Sequence, residues 1–235
     1  MTDDKVDDAV THFTEYVQQF HAYYQDRPEF QERLDIWREL LDRYVVPGGD
    51  AIDMGCGTGI FSFYLAEKGA RVVGVDGAPD MIKFCETQRS ERGLENIRFM
   101  EGRLPHVDET RLPPANLLIS SSVIEYVQDL DATLELFARH VVPGAHLILS
   151  MPNVWCISRM YERAKYAVTG QPAIYKHILH FSSPGRLLAR VRRLGMSLVE
   201  TRHYTHYTRV AKLTRAIGLP PPLTEDLFVG VLKKA

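Results

Sequence analysis

Cysteine is scarce in this chain, and long apolar runs are missing from it. The three cysteines, Cys56, Cys85 and Cys156, are odd in number and have no metal-ligand spacing, which excludes a disulfide scaffold and favours free thiols in a reducing compartment. No apolar segment approaches the roughly 18 residues that a membrane-spanning helix needs. The start, Thr2-Asp3-Asp4, is acidic and polar, unlike a secretion signal. We therefore expect a cytoplasmic protein without a membrane span.

Acidic residues are scarce in the last third of the chain, and this gives its two parts opposite net charges although the overall net charge is only −2. Residues 1–154 carry 14 basic and 26 acidic side chains, whereas residues 155–235 carry 14 basic and 4 acidic ones. Such a split is compatible with binding to nucleic acid, an anionic membrane or an anionic substrate. For Arg186, Arg190 and Arg193, which recur at helical spacing, a solvated helix face is the simplest interpretation.

A glycine-rich turn between two apolar segments is the clearest signal that the chain does contain. Gly55, Gly57 and Gly59 occupy alternate positions, and glycines let the backbone turn sharply and let a ligand lie against it. Asp76 follows 21 residues after Gly55, at the end of a second apolar segment. A carboxylate in that place can accept hydrogen bonds from both hydroxyls of a ribose. The sequence therefore predicts an adenosine-type cofactor on a unit of strand, loop, helix and strand.

The glycine spacing and the carboxylate before it narrow the choice of cofactor. A dinucleotide site has the spacing G-x-G-x-x-G, because the pyrophosphate docks on the helix N-terminus, and here the third glycine comes one residue early. Asp53, at the entrance of the turn, would repel a pyrophosphate and attract an ammonium group. A ligand with a ribose, a cationic amino-acid tail and no phosphate fits S-adenosylmethionine. These features predict that cofactor and disfavour a NAD-dependent dehydrogenase.

With these residues the chain resembles the class I S-adenosylmethionine-dependent methyltransferases, most closely the small-molecule branch that includes the ubiquinone-biosynthesis O-methyltransferases. The resemblance covers about residues 45–235 and is sharpest at 51–59 and 72–80. It implies ribose and adenine contacts from the second strand and its following helix, an adenine-edge turn after the third strand, and a methionine contact after the fourth. The cofactor residues predicted by motif and resemblance together are Asp53, Gly55, Cys56, Gly57, Gly59, Asp76, Gly77, Met81, Gly102, Arg103, Leu104, Ser120 and Ser121.

Two positions depart from the family's pattern. The family usually has Asp where this chain has Arg103, and a carboxylate there accepts from the adenine amino group, which an arginine cannot do. Either the backbone N–H of Leu104 with water suffices, or Glu101 substitutes, or the adenine contact is weaker. Asn116 stands where the family's fourth strand usually opens with Asp, and we expect that position to be structural.

The order of apolar and helical patterns predicts the fold. Strand-like segments alternate with helical ones between about residues 47 and 151, which indicates βαβ units and a mainly parallel sheet with ligands at the carboxyl ends of its strands. By resemblance, Met196 to Tyr204 and Leu227 to Leu232 form an antiparallel pair. We predict an α/β, Rossmann-like sheet of seven mostly parallel strands with an antiparallel last strand. Periodicity predicts an N-terminal helical segment at 1–46, which by resemblance forms a lid, before a cofactor-binding domain at 47–235 with insertions at about 152–181 and 206–225.

Two histidines before a capped helix are the predicted catalytic residues. The resemblance places a segment that often contains histidine near the acceptor, and His177 and His180 lie there. The pKa of histidine is near neutrality, so its ring can accept a proton from a phenol or hydroxyl. Their spacing of three would also suit a metal pair, but no third ligand is evident and we predict no metal. A hydrogen-bonded structural histidine is the alternative for each.

Aromatic and basic side chains outline a predicted acceptor pocket. Aromatics at helical spacing in the lid more often form core than ligand cages, yet some of them could line an apolar pocket. The pair Glu125-Tyr126 stands where this branch often has Glu-His, and a tyrosine with a pKa near ~10 is a poorer base at neutral pH. Basic residues of the first insertion would suit a carboxylate or phosphate on the acceptor. The predicted substrate residues are Tyr16, Tyr24, Trp37, Glu125, Tyr126, Arg159, Arg163 and Lys176.

Methyl transfer to an oxygen, or with less support a nitrogen, of a small organic acceptor is the function that these features predict, in a monomer or homodimer. The runner-up is a nucleic-acid or protein methyltransferase that uses the basic second part, but the chain has no Asn-Pro-Pro-Tyr-type tetrad and no recognisable RNA-binding module. A third reading is a binding protein without catalysis. Arg103 and Tyr126 support it, while the intact Asp53 and Asp76 count against it.

Overall fold

The computed structural model describes residues 28–204 and 209–235. Its strands are β1 (Asp50–Met54), β2 (Arg71–Asp76), β3 (Ile97–Glu101), β4 (Ala115–Ser120), β5 (Val141–Pro152), β6 (Met196–Tyr204) and β7 (Leu227–Lys234). Its helices are α1 (Pro28–Tyr44), α2 (Ile60–Glu67), α3 (Pro79–Arg92), α4 (Leu130–His140), α5 (Ile157–Thr169), α6 (Pro184–Arg192), α7 (Arg209–Ala216) and α8 (Pro221–Thr224). Two 3-10 turns, Glu109–Arg111 and Ala173–Lys176, complete the described elements.

The seven strands form one sheet in the order β3-β2-β1-β4-β5-β7-β6. The pairs β1–β2, β1–β4, β2–β3 and β4–β5 are parallel, while β7 is antiparallel to both β5 and β6. This confirms the predicted mostly parallel sheet with an antiparallel last strand. The carboxyl ends of β1, β2 and β4 meet at one edge, because these strands are parallel neighbours, and that edge carries the glycine turn.

Two apolar layers cover the faces of the sheet, since successive residues of a strand point to opposite sides. Ile52 of β1 packs in the layer formed with α4 and α6, whereas its neighbour Ala51 packs in the layer formed with α1 and α2. Trp37 of α1 is fully buried in the second layer. The described part of the predicted lid is therefore built into the core. The rest of that segment, including Tyr16 and Tyr24, lies outside the described residues.

Helix ends follow local signals, with one exception. α3 begins at Pro79, a favoured first helical position, and ends at Gly93 with φ of 63°, as the sequence predicts. Pro143 and Gly144, a pair typical of turns, follow closely after α4. They lie instead inside β5, because α4 ends at His140 and the chain enters the strand at once. Among the described residues, no helix combines the length and apolarity needed to cross a bilayer.

Candidate cofactor and acceptor site

A sharp turn carries the chain from β1 into α2 and leaves room for a ligand. The N–H groups of Gly55 and Cys56 both donate to the Val75 carbonyl, at 2.7 and 2.9 Å, which ties the turn to the end of β2. Gly57 has a φ of 53°, and a Cβ built there would meet no atom within 4 Å. A side chain at this position would therefore project into open space, which is the space that a cofactor needs.

Asp76 at the end of β2 faces the same space and fixes the turn. One oxygen of its carboxylate accepts from the Gly57 N–H at 2.8 Å, and the other accepts from the Ala78 N–H at 2.9 Å. Burial raises the pKa of this carboxyl, while the backbone N–H groups that it accepts from oppose the rise. Each oxygen keeps a further lone pair for a ribose hydroxyl.

Asp53 supplies a second buried carboxylate, one residue before β1 ends. It accepts from the Ser62 hydroxyl at 2.6 Å. Burial raises its pKa to about 7, and the nearby Asp76 adds to the rise, while Ser62 and Arg33 lower it. A cationic group bound here would return Asp53 to its charged form, because opposite charges favour ionisation.

Arg33 of α1 is a charged residue of the cleft that the sequence analysis missed. Its guanidinium is buried, lines the cleft, and donates from Nη2 to the Ser121 hydroxyl at 2.7 Å and to the Ser121 carbonyl at 3.2 Å. The signal for it was a lone arginine on the apolar face of an amphipathic helix, next to Leu34 and Trp37. Because 88 residues separate Arg33 from Ser121 in the sequence, no local sequence pattern could reveal their contact.

These groups border one open cleft of about 1090 Å³, including solvent at its mouth. Most of the predicted cofactor residues line it, together with one predicted substrate residue; these are Asp53, Gly55, Cys56, Gly57, Asp76, Gly77, Met81, Gly102, Arg103, Leu104, Ser121 and Tyr126. Two predicted residues lie behind the wall. Gly59 is the N-cap residue of α2, and the Ser120 hydroxyl donates to the Met54 carbonyl at 2.9 Å.

The cleft fits S-adenosylmethionine by the chemistry of its walls. Asp53 and Arg33 offer a negative and a positive group to the ammonium and carboxylate of an amino acid, and Asp76 offers acceptors to a ribose. The hydroxyl of Thr58 lines the cleft, is buried, and has no hydrogen-bond partner among residues 28–204 and 209–235. A buried polar group of this kind is satisfied when a ligand supplies the missing bond.

The two departures from the family pattern have different consequences. Asn116 is structural, as expected, because its side-chain oxygen accepts from the Asp50 N–H at 3.0 Å. Arg103, in contrast, lines the cleft beside Gly102. At the predicted adenine end the cleft therefore has an arginine where the family usually has an aspartate.

The turn after β4 forms the far wall of the cleft and carries Glu125 and Tyr126. Tyr126 lines the cleft, and burial raises the pKa of its hydroxyl. Burial raises the pKa of Glu125 to about 7, while Arg33 and Arg159 lower it. Its Oε2 is buried without a hydrogen-bond partner in the described part of the chain. The sequence indicated the place of Glu125 but not its burial.

The predicted histidines lie on a segment that is bound to this turn. The N–H groups of Leu179 and His180 donate to the Glu125 carbonyl at 2.8 and 3.2 Å. The His180 Nε2 lies 2.8 Å from the Val127 carbonyl, an oxygen that only accepts, so Nε2 carries the proton and Nδ1 is left as the acceptor. His177 is half-buried at the end of the preceding 3-10 turn. Neither ring lines the cleft, but Val127 does.

The other predicted substrate residues surround this wall without lining the cleft. Arg159 is buried, pairs with Asp226 at 3.4 Å and donates to the Tyr175 hydroxyl at 3.3 Å. The Arg163 guanidinium lies 4.7 Å from the centre of the Phe181 ring. Lys176 is exposed, and Trp37 stacks in the core on Phe61, a cleft residue, at 5.0 Å. Within the described residues no three metal-binding side chains come together.

Comparison with known proteins agrees with this geometry. Residues 46–195 match the family model of a methyltransferase domain. The chain is 25% identical to a ubiquinone biosynthesis O-methyltransferase of Hahella chejuensis, over 79% of this chain and 80% of that protein. It is 28% identical to one of Xylella fastidiosa, over 74% and 72%. Its fold is similar to that of magnesium protoporphyrin IX methyltransferase from Synechocystis PCC 6803 with bound S-adenosylhomocysteine, with a TM-score of 0.71 and 17% identity over 96% of this chain and 99% of that one.

Proposed function

Because the chain belongs to the methyltransferase domain family, as a class I S-adenosylmethionine-dependent enzyme, we propose that it methylates an oxygen atom of a small organic acceptor. The observation that carries the proposal is the wall of Tyr126 and Glu125, where a buried carboxylate lacks a partner close to the cleft. The names of the two relatives, each an O-methyltransferase, support oxygen over nitrogen.

The residues of the cleft bind and orient the cofactor in this proposal. Asp76 accepts from the ribose hydroxyls, Asp53 holds the ammonium and Arg33 holds the carboxylate, so the amino-acid tail is fixed at both charged groups. Bound S-adenosylmethionine supplies a methyl group activated by its sulfonium. The protein's remaining tasks are to align the acceptor oxygen with that methyl, to exclude water and to take up a proton.

Two groups next to the far wall, neither of which lines the cleft itself, are our candidates to take the proton. Glu125 has a pKa of about 7, so near neutral pH a large fraction is a carboxylate able to accept. His180 keeps Nδ1 as an acceptor, because its other nitrogen is bound to Val127, and His177 stays a candidate beside it. We assign the first role to Glu125, since its Oε2 has no competing bond in the described residues, and a supporting role to His180.

The basic side chains near the turn after β4 bear on the charge of the acceptor. Arg163 and Lys176 lie on the first insertion and would favour a carboxylate or phosphate on an aromatic acceptor, whereas Arg159 is engaged by Asp226 and would act by holding the insertion in place. Tyr126 would pack on the acceptor ring, and Trp37 would support Phe61 from behind.

The test is a transfer assay that measures S-adenosylhomocysteine formation with three classes of acceptor. Catechol and 3,4-dihydroxybenzoate offer oxygen, their amine analogues offer nitrogen, and unfractionated RNA and unfolded casein represent macromolecules. We expect turnover with the phenols and none with RNA or casein. Turnover with RNA or casein alone would replace the proposal by the macromolecular alternative. Binding of S-adenosylhomocysteine without turnover on any acceptor would favour a binding protein that has lost catalysis.

A further inference from the structure

The end of the cleft that receives the base of the cofactor contains a guanidinium. In the binding mode proposed above, Arg33 and Asp53 hold the amino-acid tail and Asp76 holds the ribose. Of the charged side chains that line the cleft within residues 28–204 and 209–235, this leaves only Arg103. The base of the nucleoside therefore shares its end of the cleft with a group that carries a permanent positive charge.

The pairing of β2 with β3 places Arg103 next to that base. The two strands are parallel, and Asp76 is the register partner of Glu101. The Gly102 N–H donates to the Asp76 carbonyl at 2.9 Å. Because neighbouring strands lie roughly 4.8 Å apart, the residues after Glu101 lie beside the ribose that Asp76 holds. Gly102 and Arg103 both line the cleft there, so the base attached to that ribose lies along them.

The other side chains at this end of the cleft are apolar. Ala78 and Met81, at the start of α3, are buried in the wall, and Leu104 lines the cleft after β3. Such groups pack against the faces of a purine but form no hydrogen bond with its edge. Glu101 is exposed and does not line the cleft, so it does not replace the carboxylate that is usual in the family. The side-chain hydrogen bond to the edge of the base therefore falls to Arg103.

An arginine at the edge of a purine distinguishes the substituents at C6. A guanidinium has five N–H donors and no acceptor, and the 6-amino group of adenine is also a donor, so the two groups cannot bond to each other. Arg103 then has only a ring nitrogen to bond. A 6-oxopurine such as hypoxanthine has an oxygen in the same place, and this oxygen together with N7 accepts two N–H groups of one guanidinium, as O6 and N7 of guanine do.

We propose that Arg103 adapts the cleft to 6-oxopurine nucleosides, so that S-inosylhomocysteine binds at least as tightly as S-adenosylhomocysteine. The two ligands share the ribose and the amino-acid tail and differ at C6. The oxo form arises from the amino form by hydrolytic deamination, in which water supplies the oxygen and ammonia leaves, so the deaminated product still competes for the cleft. The proposal rests on the cofactor-binding mode proposed above and not on the oxygen chemistry of the acceptor.

Isothermal titration of the full chain with the two ligands tests the proposal, and the ratio of their dissociation constants is the quantity to compare. We expect the wild type to bind S-inosylhomocysteine as tightly as S-adenosylhomocysteine or up to about tenfold more tightly, because one hydrogen bond from a charged donor is gained. Effects of a variant on the fold, the ribose contacts or the tail contacts cancel in the ratio, since both ligands share them.

Two variants of Arg103 should shift the ratio by different amounts. Arg103→Met removes the donors and should shift it about five- to tenfold toward S-adenosylhomocysteine. Arg103→Asp should shift it about tenfold further, because a carboxylate accepts from the 6-amino group and repels the 6-oxo group. The matched controls are Arg111→Met and Arg111→Asp, which change the same charge on an exposed arginine that does not line the cleft. Their ratios should stay within about twofold of the wild type.

Three outcomes would overturn the proposal. A wild type that binds S-adenosylhomocysteine alone, or clearly more tightly than the oxo form, would do so while confirming the cofactor site. An equal weakening of both ligands in Arg103→Met would mean that the guanidinium stacks on the face of the base, a contact that does not sense C6. Binding of neither ligand by the wild type would overturn the cofactor-binding mode as well.

Discussion

At the scale of single residues, two opposite charges meet at one end of the cleft. Asp53 and Arg33 are both buried, and burying charges is costly unless each finds a partner. Ser62 and Ser121 form hydrogen bonds with these two side chains. A zwitterionic amino-acid tail presents an ammonium to Asp53 and a carboxylate to Arg33 at once, so the pair suits the tail of S-adenosylmethionine.

Arg33→Met should therefore weaken binding of S-adenosylhomocysteine by roughly 10- to 100-fold, since a hydrogen bond to a charged group contributes about 1.5–3 kcal/mol. Binding of methylthioadenosine, which lacks the amino-acid tail, should not change. Isothermal titration with both ligands measures the difference, and Arg38→Met, on the exposed side of the same helix, is the control. Equal losses for the two ligands would mean that Arg33 only supports the fold.

Binding should also depend on pH through Asp53. The raised pKa of about 7 means that the free protein holds a proton on Asp53 below that pH. An ammonium group favours the carboxylate, so binding releases the proton, and affinity rises as pH rises through about 7. S-adenosylhomocysteine should bind about tenfold more weakly at pH 6 than at pH 8. Methylthioadenosine, and the variant Asp53→Asn with either ligand, should show no such dependence; a parallel dependence in that variant would point to another group.

At the scale of elements, the turn between β1 and α2 combines a left-handed glycine conformation with close packing. Gly59 has a φ of 75°, and a Cβ there would lie 2.9 Å from the Phe63 ring and 3.0 Å from the Cys85 sulfur. Gly93, which caps α3, has a φ of 63° and nothing within 4 Å. The two glycines thus share the left-handed conformation and differ in packing.

Gly59→Ala should destabilise the protein more than Gly93→Ala. Both changes force alanine into the left-handed region, at about 1–2 kcal/mol, and only Gly59→Ala adds the cost of overpacking, about 1–3 kcal/mol. Urea unfolding of both variants measures the difference in the free energy of unfolding. Equal destabilisation would show that Phe63 and Cys85 can move away without cost.

The turn after β4 should control the pH dependence of catalysis. A carboxyl with a pKa of about 7 is protonated below that pH and cannot accept a proton, so kcat/KM should fall about tenfold per pH unit below 7. Glu125→Gln should lose most activity together with this acidic limb. His180→Ala should lower turnover while affinity for S-adenosylhomocysteine stays nearly intact. The acceptor identified in the transfer assay serves for both; an unchanged acidic limb in Glu125→Gln would assign the proton to another group.

The same elements show what the sequence could predict and what it could not. The bounds of α3 follow from Pro79 and Gly93 because capping is local, and Asp76 was found because a turn and a strand end have a fixed spacing. Arg33 was missed because its partner, Ser121, is near only in the folded chain. The pKa of Glu125 was also out of reach, since burial depends on the packing of α1 and the insertions around it.

At the scale of the whole molecule, the charge split along the chain is partly cancelled in space. Arg190 and Arg193 of the basic part pair with Asp131 of the acidic part, which accounts for them as a solvated helix face. Arg202 likewise pairs with Glu39. These ion pairs bring acidic and basic residues that are far apart in the sequence together on the surface of the fold.

Cofactor binding should stabilise the whole fold, because the cleft joins α1, β1, β2 and the turn after β4. A ligand at 100 times its Kd adds about 2.7 kcal/mol to the free energy of unfolding, and for a chain of 235 residues each kcal/mol raises Tm by about 2–4 °C. Saturating S-adenosylhomocysteine should therefore raise Tm by roughly 5–10 °C, as measured by differential scanning fluorimetry, and NAD should not.

Asp76→Ala provides the decisive comparison for that shift. It removes the acceptors for the ribose, at about 1–3 kcal/mol, so most of the stabilisation by the same ligand concentration should disappear. Asp80→Ala, an exposed carboxylate in the first turn of α3, should keep the full shift. The ligand-free Tm of each variant separates loss of binding from loss of folding, because Asp76 also holds the Gly57 N–H. A full shift in Asp76→Ala would contradict the assignment of this carboxylate to the ribose.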